Sequence, residues 1–292
     1  MTGVRILDVI NKTTPFFEKR GVESPRLTIE LMLAHLLHKK RLELYLDFER
    51  ELDEATVAQL REMVRRRADG EPLQYILGET EFFGLKFMVD RRVLIPRPET
   101  ELLVDTVLER LKSEIRNPKS EITIVDLGTG SGCIAVAIAK NLPAAAVCAV
   151  DASAEALEVA RQNAQRHGVE KNIRFFHGDL LNVLPDSLKA DVIVSNPPYI
   201  ATGELAKLPR EVKDFEPVQA LTAGVDGLEV YRRIANDARR FLSPTGFVAL
   251  ELGAGQRVAV EVLLSQGGYR IAGVEKDLQG HERVIVAQAQ VV

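Results

Sequence analysis

Four consecutive residues of the 292-residue sequence, Asn196-Pro197-Pro198-Tyr199, have the types and order to hold a nitrogen nucleophile. They follow Val192-Ile193-Val194-Ser195, an apolar run that reads as a buried strand and would deliver them to one edge of a sheet. Asn196 offers a side-chain carbonyl oxygen, and a backbone carbonyl in the Pro197-Pro198 segment offers a second acceptor. Two acceptors aimed at one NH2 group fix its plane and leave one face open toward an electrophile. The prolines stiffen the loop, so little entropy is lost on binding, and Tyr199 can pack on a planar amide or base. An amide nitrogen is a poor nucleophile because its lone pair is delocalised. Hydrogen bonds from its NH2 to these acceptors stabilise the positive charge that develops during attack. Alignment of the reacting pair can remove up to about 7–11 kcal/mol of barrier. The proton can leave after transfer, so no ionised base is needed first, and no separate candidate base is evident.

A second constellation lies upstream. The strand Ile122-Val125 runs into Asp126-Leu127-Gly128-Thr129-Gly130-Ser131-Gly132 and then an apolar helix. Glycines there let the backbone turn sharply and approach a ligand, and ligands of open parallel sheets bind beyond the carboxyl ends of the strands. A dinucleotide fingerprint counted from Gly128 and Gly130 requires a third glycine where Cys133 stands. Asp151 ends the next strand, about 20 residues beyond the turn, where a carboxylate can accept from both hydroxyls of a ribose. Gly178-Asp179-Leu180 ends the third strand and puts a carboxylate and an apolar side chain where an adenine would be bounded, or else forms a plain turn.

The elements that position these residues come in two styles. Residues 1–75 read as a small helical bundle. Val4, Leu7 and Ile10 repeat at helical spacing, Thr28 is a candidate cap for a run with Leu31, Ala34, Leu36 and Leu37 on one side, and Asp53 caps a third helix ending near Asp69-Gly70. Arg65-Arg66-Arg67 reads as a solvated helix end. Residues 76–95 form a hairpin linker, aromatic with one glycine at its turn, and 96–292 form the catalytic domain. Beyond about 120, strand and helix alternate, which builds a parallel sheet covered on both faces. Helices are expected over Ala154–His167 behind a Ser153 cap, near Glu229–Phe241 and over Gln256–Leu264. The last strand, Val284–Ala287, follows Ile271–Val274 after too short a loop for a crossover, so the pair is antiparallel.

The formal net charge of −4 and pI near 5.9 argue against a broad basic face for nucleic acid. Cys133 and Cys148 are too few for a disulfide framework and read as small buried hydrophobes, and the five histidines show no metal-ligand spacing. No stretch approaches the roughly 20 apolar residues that cross a bilayer, so a reducing cytoplasm is the expected location, with no membrane partner.

Together the Gly128–Gly132 turn, Asp151 and Asn196–Tyr199 resemble the class I S-adenosylmethionine-dependent methyltransferases, which implies a Rossmann-like α/β fold with a seven-stranded sheet and one reversed strand. The remaining motifs run in a fixed order: Pro72-Leu73-Gln74-Tyr75-Ile76-Leu77-Gly78, Val93-Leu94-Ile95-Pro96-Arg97-Pro98-Glu99-Thr100-Glu101, Phe215-Glu216-Pro217, Gly224-Val225-Asp226-Gly227-Leu228, Glu251-Leu252-Gly253 and Gln256. Over nearly the whole chain this resembles the protein-(glutamine) methyltransferases of peptide chain release factors, the HemK/PrmC family. The resemblance implies S-adenosylmethionine as methyl donor, no metal, and the glutamine of the Gly-Gly-Gln motif of class 1 release factors as substrate, with no direct DNA binding. It implies cofactor contacts at Gly128, Thr129, Gly130, Ser131, Gly132, Asp151, Asp179, Leu180 and Asn196. Catalytic and substrate contacts fall on Asn196, Pro197, Pro198 and Tyr199. Some relatives carry tryptophan where this chain has Leu180, which implies an apolar contact there rather than a stack. Arg97 and Glu99 line the mouth of the site or serve the helix start. The helical N-terminal domain is expected to recognise the substrate.

Three rivals stand beside this reading. A nucleic-acid methyltransferase would use the same Asn196 chemistry on an exocyclic amine of adenine or guanine, with strongly salt-dependent binding. A catalytically idle binding module would not bind the cofactor. An oxidoreductase is disfavoured by Cys133 at the third-glycine position.

Overall fold

The computed structural model describes residues 4–114 and 122–290. They form two compact units, one of residues 4–78 with 209–215, the other of 79–114, 122–208 and 216–290.

The first unit is helical. A short antiparallel pair, β1 (Val4–Arg5) and β2 (Glu51–Leu52), precedes and follows the helices α1 (Ile6–Lys19) and α2 (Pro25–Leu36); α3 (Glu54–Ala68) and α4 (Leu73–Leu77) complete the run. Val4 thus lies in a strand rather than in the first helix, because the chain there is tied by Ile6 N–H to Arg50 O and Leu7 N–H to Phe48 O, both 3.1 Å. Thr28 is not a cap. Helix α2 starts at Pro25, whose fixed φ suits a first helical position, and Thr28 is buried in the next turn with its hydroxyl on the Glu23 carbonyl. The buried side of α2 is accordingly Ile29, Met32, Leu33 and Ala34, and these pack with Ile6, Ile10, Phe17, Leu60 and Met63. Asp53 does cap α3, accepting the Thr56 N–H at 2.7 Å. The arginine run at its end is not simply solvated. Arg65 pairs with Glu62 and Asp69, Arg66 with Glu71, and the buried Arg67 reaches Glu211 at 2.7 Å and the Glu71 carbonyl at 2.9 Å. Glu211 sits in α8 (Arg210–Lys213), a short segment that sequence reading left within 96–292 and that packs in this unit.

The second unit opens with a hairpin, β3 (Glu79–Phe82) and β4 (Leu85–Met88), whose two turn residues Phe83 and Gly84 both have positive φ. Phe82 and Phe87 are buried against α5 (Thr100–Glu114) and α6 (Cys133–Asn141). The rest alternates: β5 (Ile122–Leu127), α6, β6 (Ala145–Asp151), α7 (Ala154–Arg166), β7 (Ile173–His177), β8 (Ala190–Ser195), α9 (Glu229–Asp237), β9 (Leu242–Glu251), α10 (Arg257–Gln266), β10 (Tyr269–Lys276) and β11 (Glu282–Ala289). The expected helix to Phe241 stops at Asp237 and tightens into a 3-10 turn over Ala238–Phe241. The seven strands lie in the order β10-β11-β9-β8-β5-β6-β7, and β11 alone runs against both neighbours.

Alternation along each strand fills both faces of the sheet. Ile124, Val192, Val194, Phe247 and Ala249 join one apolar layer with α5 and α6, and Val125, Leu127, Ile193, Val248 and Leu250 join the other with Tyr231, Ile234, Val260 and Leu264. Ser153 caps α7 by accepting the Ala156 N–H at 3.1 Å. This is the seven-stranded mixed sheet of a class I methyltransferase.

Candidate functional site

At the end of β5 the chain turns through Gly128–Gly132 against the end of β6. The Gly128 and Thr129 N–H groups both donate to Val150 O at 2.9 Å, and Gly130 N–H donates to Asp151 Oδ2 at 2.8 Å. Asp151 Oδ1 accepts Ser153 N–H at 2.9 Å, so the carboxylate is locked to the turn on one side and to the start of α7 on the other. Burial pushes the Asp151 carboxyl above its ordinary range, opposed by those backbone donors. Gly132 has φ 80°, and a Cβ there would lie 3.1 Å from the Ala160 Cβ, so glycine lets α7 close on the turn. Buried Asn163 of α7 then binds three backbone groups: its Nδ2 donates to Ser131 O at 2.9 Å and to Met88 O at 3.0 Å, and its Oδ1 accepts Met88 N–H at 2.7 Å. Beneath the turn, Thr129 Oγ1 donates to Asp126 Oδ2 at 2.6 Å, and burial pushes this carboxyl up to about 7.

These residues suit a nucleoside-bearing ligand. Each Asp151 oxygen carries one N–H and retains a second lone pair, the acceptor set that a vicinal diol needs. Gly128 is exposed, and a Cβ built on it would meet nothing within 4 Å, so open space lies over the turn. Asp179 and Leu180 follow β7, one strand beyond β6. The exposed Asp179 carboxylate pairs with Arg233 at 2.5 Å, whereas Leu180, at φ 50°, packs partly on the apolar layer around Leu181 and Leu184.

The acceptor loop leaves β8 beside this turn. Leu127 and Ser195 are register partners on adjacent parallel strands, and Ser195 Oγ donates to Leu127 O at 2.7 Å. The next residues on the two chains are Gly128 and Asn196. Asn196 is half-buried, and its Nδ2 donates to Thr100 Oγ1 at 3.0 Å; Thr100 Oγ1 in turn donates to Glu251 Oε2 at 2.6 Å. Glu251 is 1% exposed, and burial pushes its carboxyl up to about 7. Pro197 is buried, and Pro198 and Tyr199 are partly so; burial pushes the Tyr199 phenol up to about 12. Behind the loop, Gln256 Nε2 donates to Tyr199 O at 2.9 Å. A Cβ on Gly227, at φ 73°, would fall 2.3 Å from that same carbonyl. Ile200 is laced to the next segment by its N–H on Leu221 O and its carbonyl on Ala223 N–H. Arg97 forms an ion pair at 2.6 Å with buried Glu216, and Glu99 is exposed.

The fold therefore brings Gly128–Gly132, Asp151 and Asn196–Tyr199 to one edge and leaves Asp179 engaged with Arg233. Sequence reading assigned no role to Asp126, Thr100, Glu251 or Asn163, which hold those residues in place. Asp126 was legible as an acid three residues from Thr129. The other three act across 32 or more positions; Thr100 and Glu251 stand in motifs of the sequence that name no partner, and Asn163 stands in none. Among the described residues, no group of three or more His, Cys, Asp and Glu is placed to hold a metal ion. No described helix is long and apolar enough to cross a membrane.

Comparison with known proteins fits this architecture. Residues 8–78 match the PrmC N-terminal domain, and residues 100–209 match the methyltransferase small domain. A methyltransferase from Pyrococcus furiosus shares the fold at TM-score 0.51 and 21% identity, covering 70% of this chain and 89% of that one. A release factor glutamine methyltransferase of Rhodopirellula baltica is 41% identical across 97% of this chain and 96% of its own length. One from Chlorobaculum tepidum is 42% identical across 98% and 97%. With that identity maintained along both units, the chain belongs to the release factor glutamine methyltransferase family.

Proposed function

We propose that the protein transfers a methyl group from S-adenosylmethionine to the side-chain amide nitrogen of the glutamine in the Gly-Gly-Gln motif of class 1 peptide chain release factors, supporting translation termination. The observation that carries this reading is the register of β5 with β8, which sets the glycine turn and the Asn196 loop side by side. Gly128, Thr129, Gly130, Ser131, Gly132 and Asp151 hold the cofactor, with Asp151 on the ribose hydroxyls; Leu180 supplies an apolar contact, and Asp179 a more peripheral one. When bound, S-adenosylmethionine supplies an electrophilic methyl group on a sulfonium. Asn196 Oδ1 and a backbone carbonyl of the proline pair accept from the substrate NH2, and so stabilise positive charge growing on that nitrogen. Tyr199 packs on the amide plane. The extra proton leaves to solvent afterwards, and the reading uses no metal. The helical unit serves to recognise the release factor, and the cytoplasm is the place of action.

The test is mass spectrometry of a purified release factor incubated with the protein and S-adenosylmethionine, beside an Asn196→Ala control. One methyl group on the Gly-Gly-Gln glutamine, lost in the control, is the expected result. No transfer to a folded release factor, with cofactor binding demonstrated, overturns the assignment and directs the search to exocyclic amines of nucleic acid.

A further inference from the structure

The substrate reading requires Asn196 to present its oxygen, yet the oxygen and nitrogen of a primary amide are nearly the same size, and packing alone does not choose between them. Hydrogen-bond direction does. Carboxylates only accept, so in the 2.6 Å contact between Thr100 Oγ1 and Glu251 Oε2 the threonine hydroxyl is the donor whenever Glu251 is ionised. Thr100 then has only lone pairs left for Asn196, and it must be met by the NH2, as it is at 3.0 Å. The amide oxygen is consequently turned away from Thr100. With the opposite orientation, Asn196 would offer donors to a substrate group that is itself a donor.

We propose that Thr100 and Glu251 are positioning residues that set the orientation of the Asn196 amide, so that its oxygen and not its nitrogen meets the acceptor nitrogen. The three residues come from the start of α5, the end of β9 and the end of β8, and both supporting side chains are almost wholly buried. The proposal rests on the amide-methylation reading and adds the device that polarises its main residue. It also gives a role to the Thr100 and Glu251 motifs, which the cofactor and substrate contacts leave unused. Protonated Glu251 would donate to Thr100, Thr100 would donate to Asn196, and the amide would turn over. Burial pushes the Glu251 carboxyl up to about 7, in a setting that includes Arg97 and Glu99 ahead of α5, Arg283 on β11, Tyr199, and Tyr231, whose hydroxyl donates to the Glu251 backbone carbonyl at 2.7 Å. Transfer by the wild type should therefore rise as pH passes through about 7.

Three variants test it. Thr100→Val should lower kcat roughly 10²-fold, the scale of a misplaced reacting group, with the cofactor Kd and the KM for release factor nearly unchanged. Thr100→Ser should restore most of the rate. Because Thr100→Val strands a buried carboxylate, Thr100→Val/Glu251→Met removes the charge as well; it should fold, bind cofactor, remain slow and lose the Glu251 step in its pH profile. Asp126 titrates in both proteins, so the comparison isolates Glu251. A folded, cofactor-binding double variant with wild-type kcat overturns the proposal. A second readout does not depend on the substrate: the Asn196 side-chain NH2 resonance, assigned by its loss in Asn196→Asp, should titrate near pH 7 in the wild type and not in the double variant. Titration without release-factor methylation would strike the substrate assignment alone; a resonance indifferent to both pH and the variants would strike the orientation device.

Discussion

Two buried carboxylates lie under the two halves of the site, each pushed up to about 7 and each accepting a threonine hydroxyl at 2.6 Å. Asp126 accepts its hydrogen bond from Thr129, three residues along the same turn, while Glu251 accepts its own from Thr100, 151 positions away. The glycine turn is thus built largely from its own neighbourhood and the end of β6. The acceptor loop is built from α5, β9, the 221–227 segment and Gln256. The geometry of the glycine turn is a local property here, and that of the Asn196 loop is a property of the folded sheet.

Loss of Asn196 is the largest expected effect. Asn196→Ala should reduce the transfer rate by about 10²–10³, in line with removal of a group aimed at developing charge. Single-turnover kinetics at saturating cofactor would show it, and a rate within threefold of wild type would mean that the loop's backbone carbonyl suffices.

The carboxylate pair offers a stability test. Each is protonated more readily when folded than when unfolded, so the folded state binds the extra proton and stability declines as pH rises from about 4.5 toward 7. Glu251→Gln should flatten that decline by ~3 kcal/mol, read from denaturant unfolding at pH 5 and pH 8. Asp126→Asn should act in the same direction. If only one variant responds, the apparent symmetry of the two sites is broken.

Asp151→Ala should weaken S-adenosylmethionine binding by roughly tenfold to a hundredfold, since charge-assisted hydrogen bonds are lost and the Gly130 N–H is released as well. Calorimetry would measure it; an unchanged affinity would leave Asp151 with a purely structural part. The smallest effect is Ser153→Ala, about 1 kcal/mol of stability from the lost α7 cap, with the acceptor loop undisturbed.

Much of this was legible before folding. The strand-turn-helix order, the reversed β11, the Asp53 and Ser153 caps and the gathering of Gly128–Gly132, Asp151 and Asn196–Tyr199 at the strand ends all rest on patterns within a few positions. Misreadings arose where a distant partner decides. Thr28 looks like a cap until Pro25 starts the helix ahead of it, and Arg67 looks solvated until Glu211 meets it. Asp179 keeps an exposed carboxylate after β7, and only the fold shows that Arg233 of α9 pairs with it.

By itself the sequence determined which atoms can do chemistry: glycines that admit a backbone turn, a carboxylate at a strand end, and an amide on a proline-stiffened loop. Those properties belong to residue types and short spacings. The tertiary structure decided that the turn and the loop stand side by side, through the Leu127–Ser195 register, and which way the Asn196 amide faces, through Thr100 and Glu251. The physical reason is that hydrogen-bond direction and ionisation depend on what burial brings together, and no local spacing encodes a partner more than a hundred residues away.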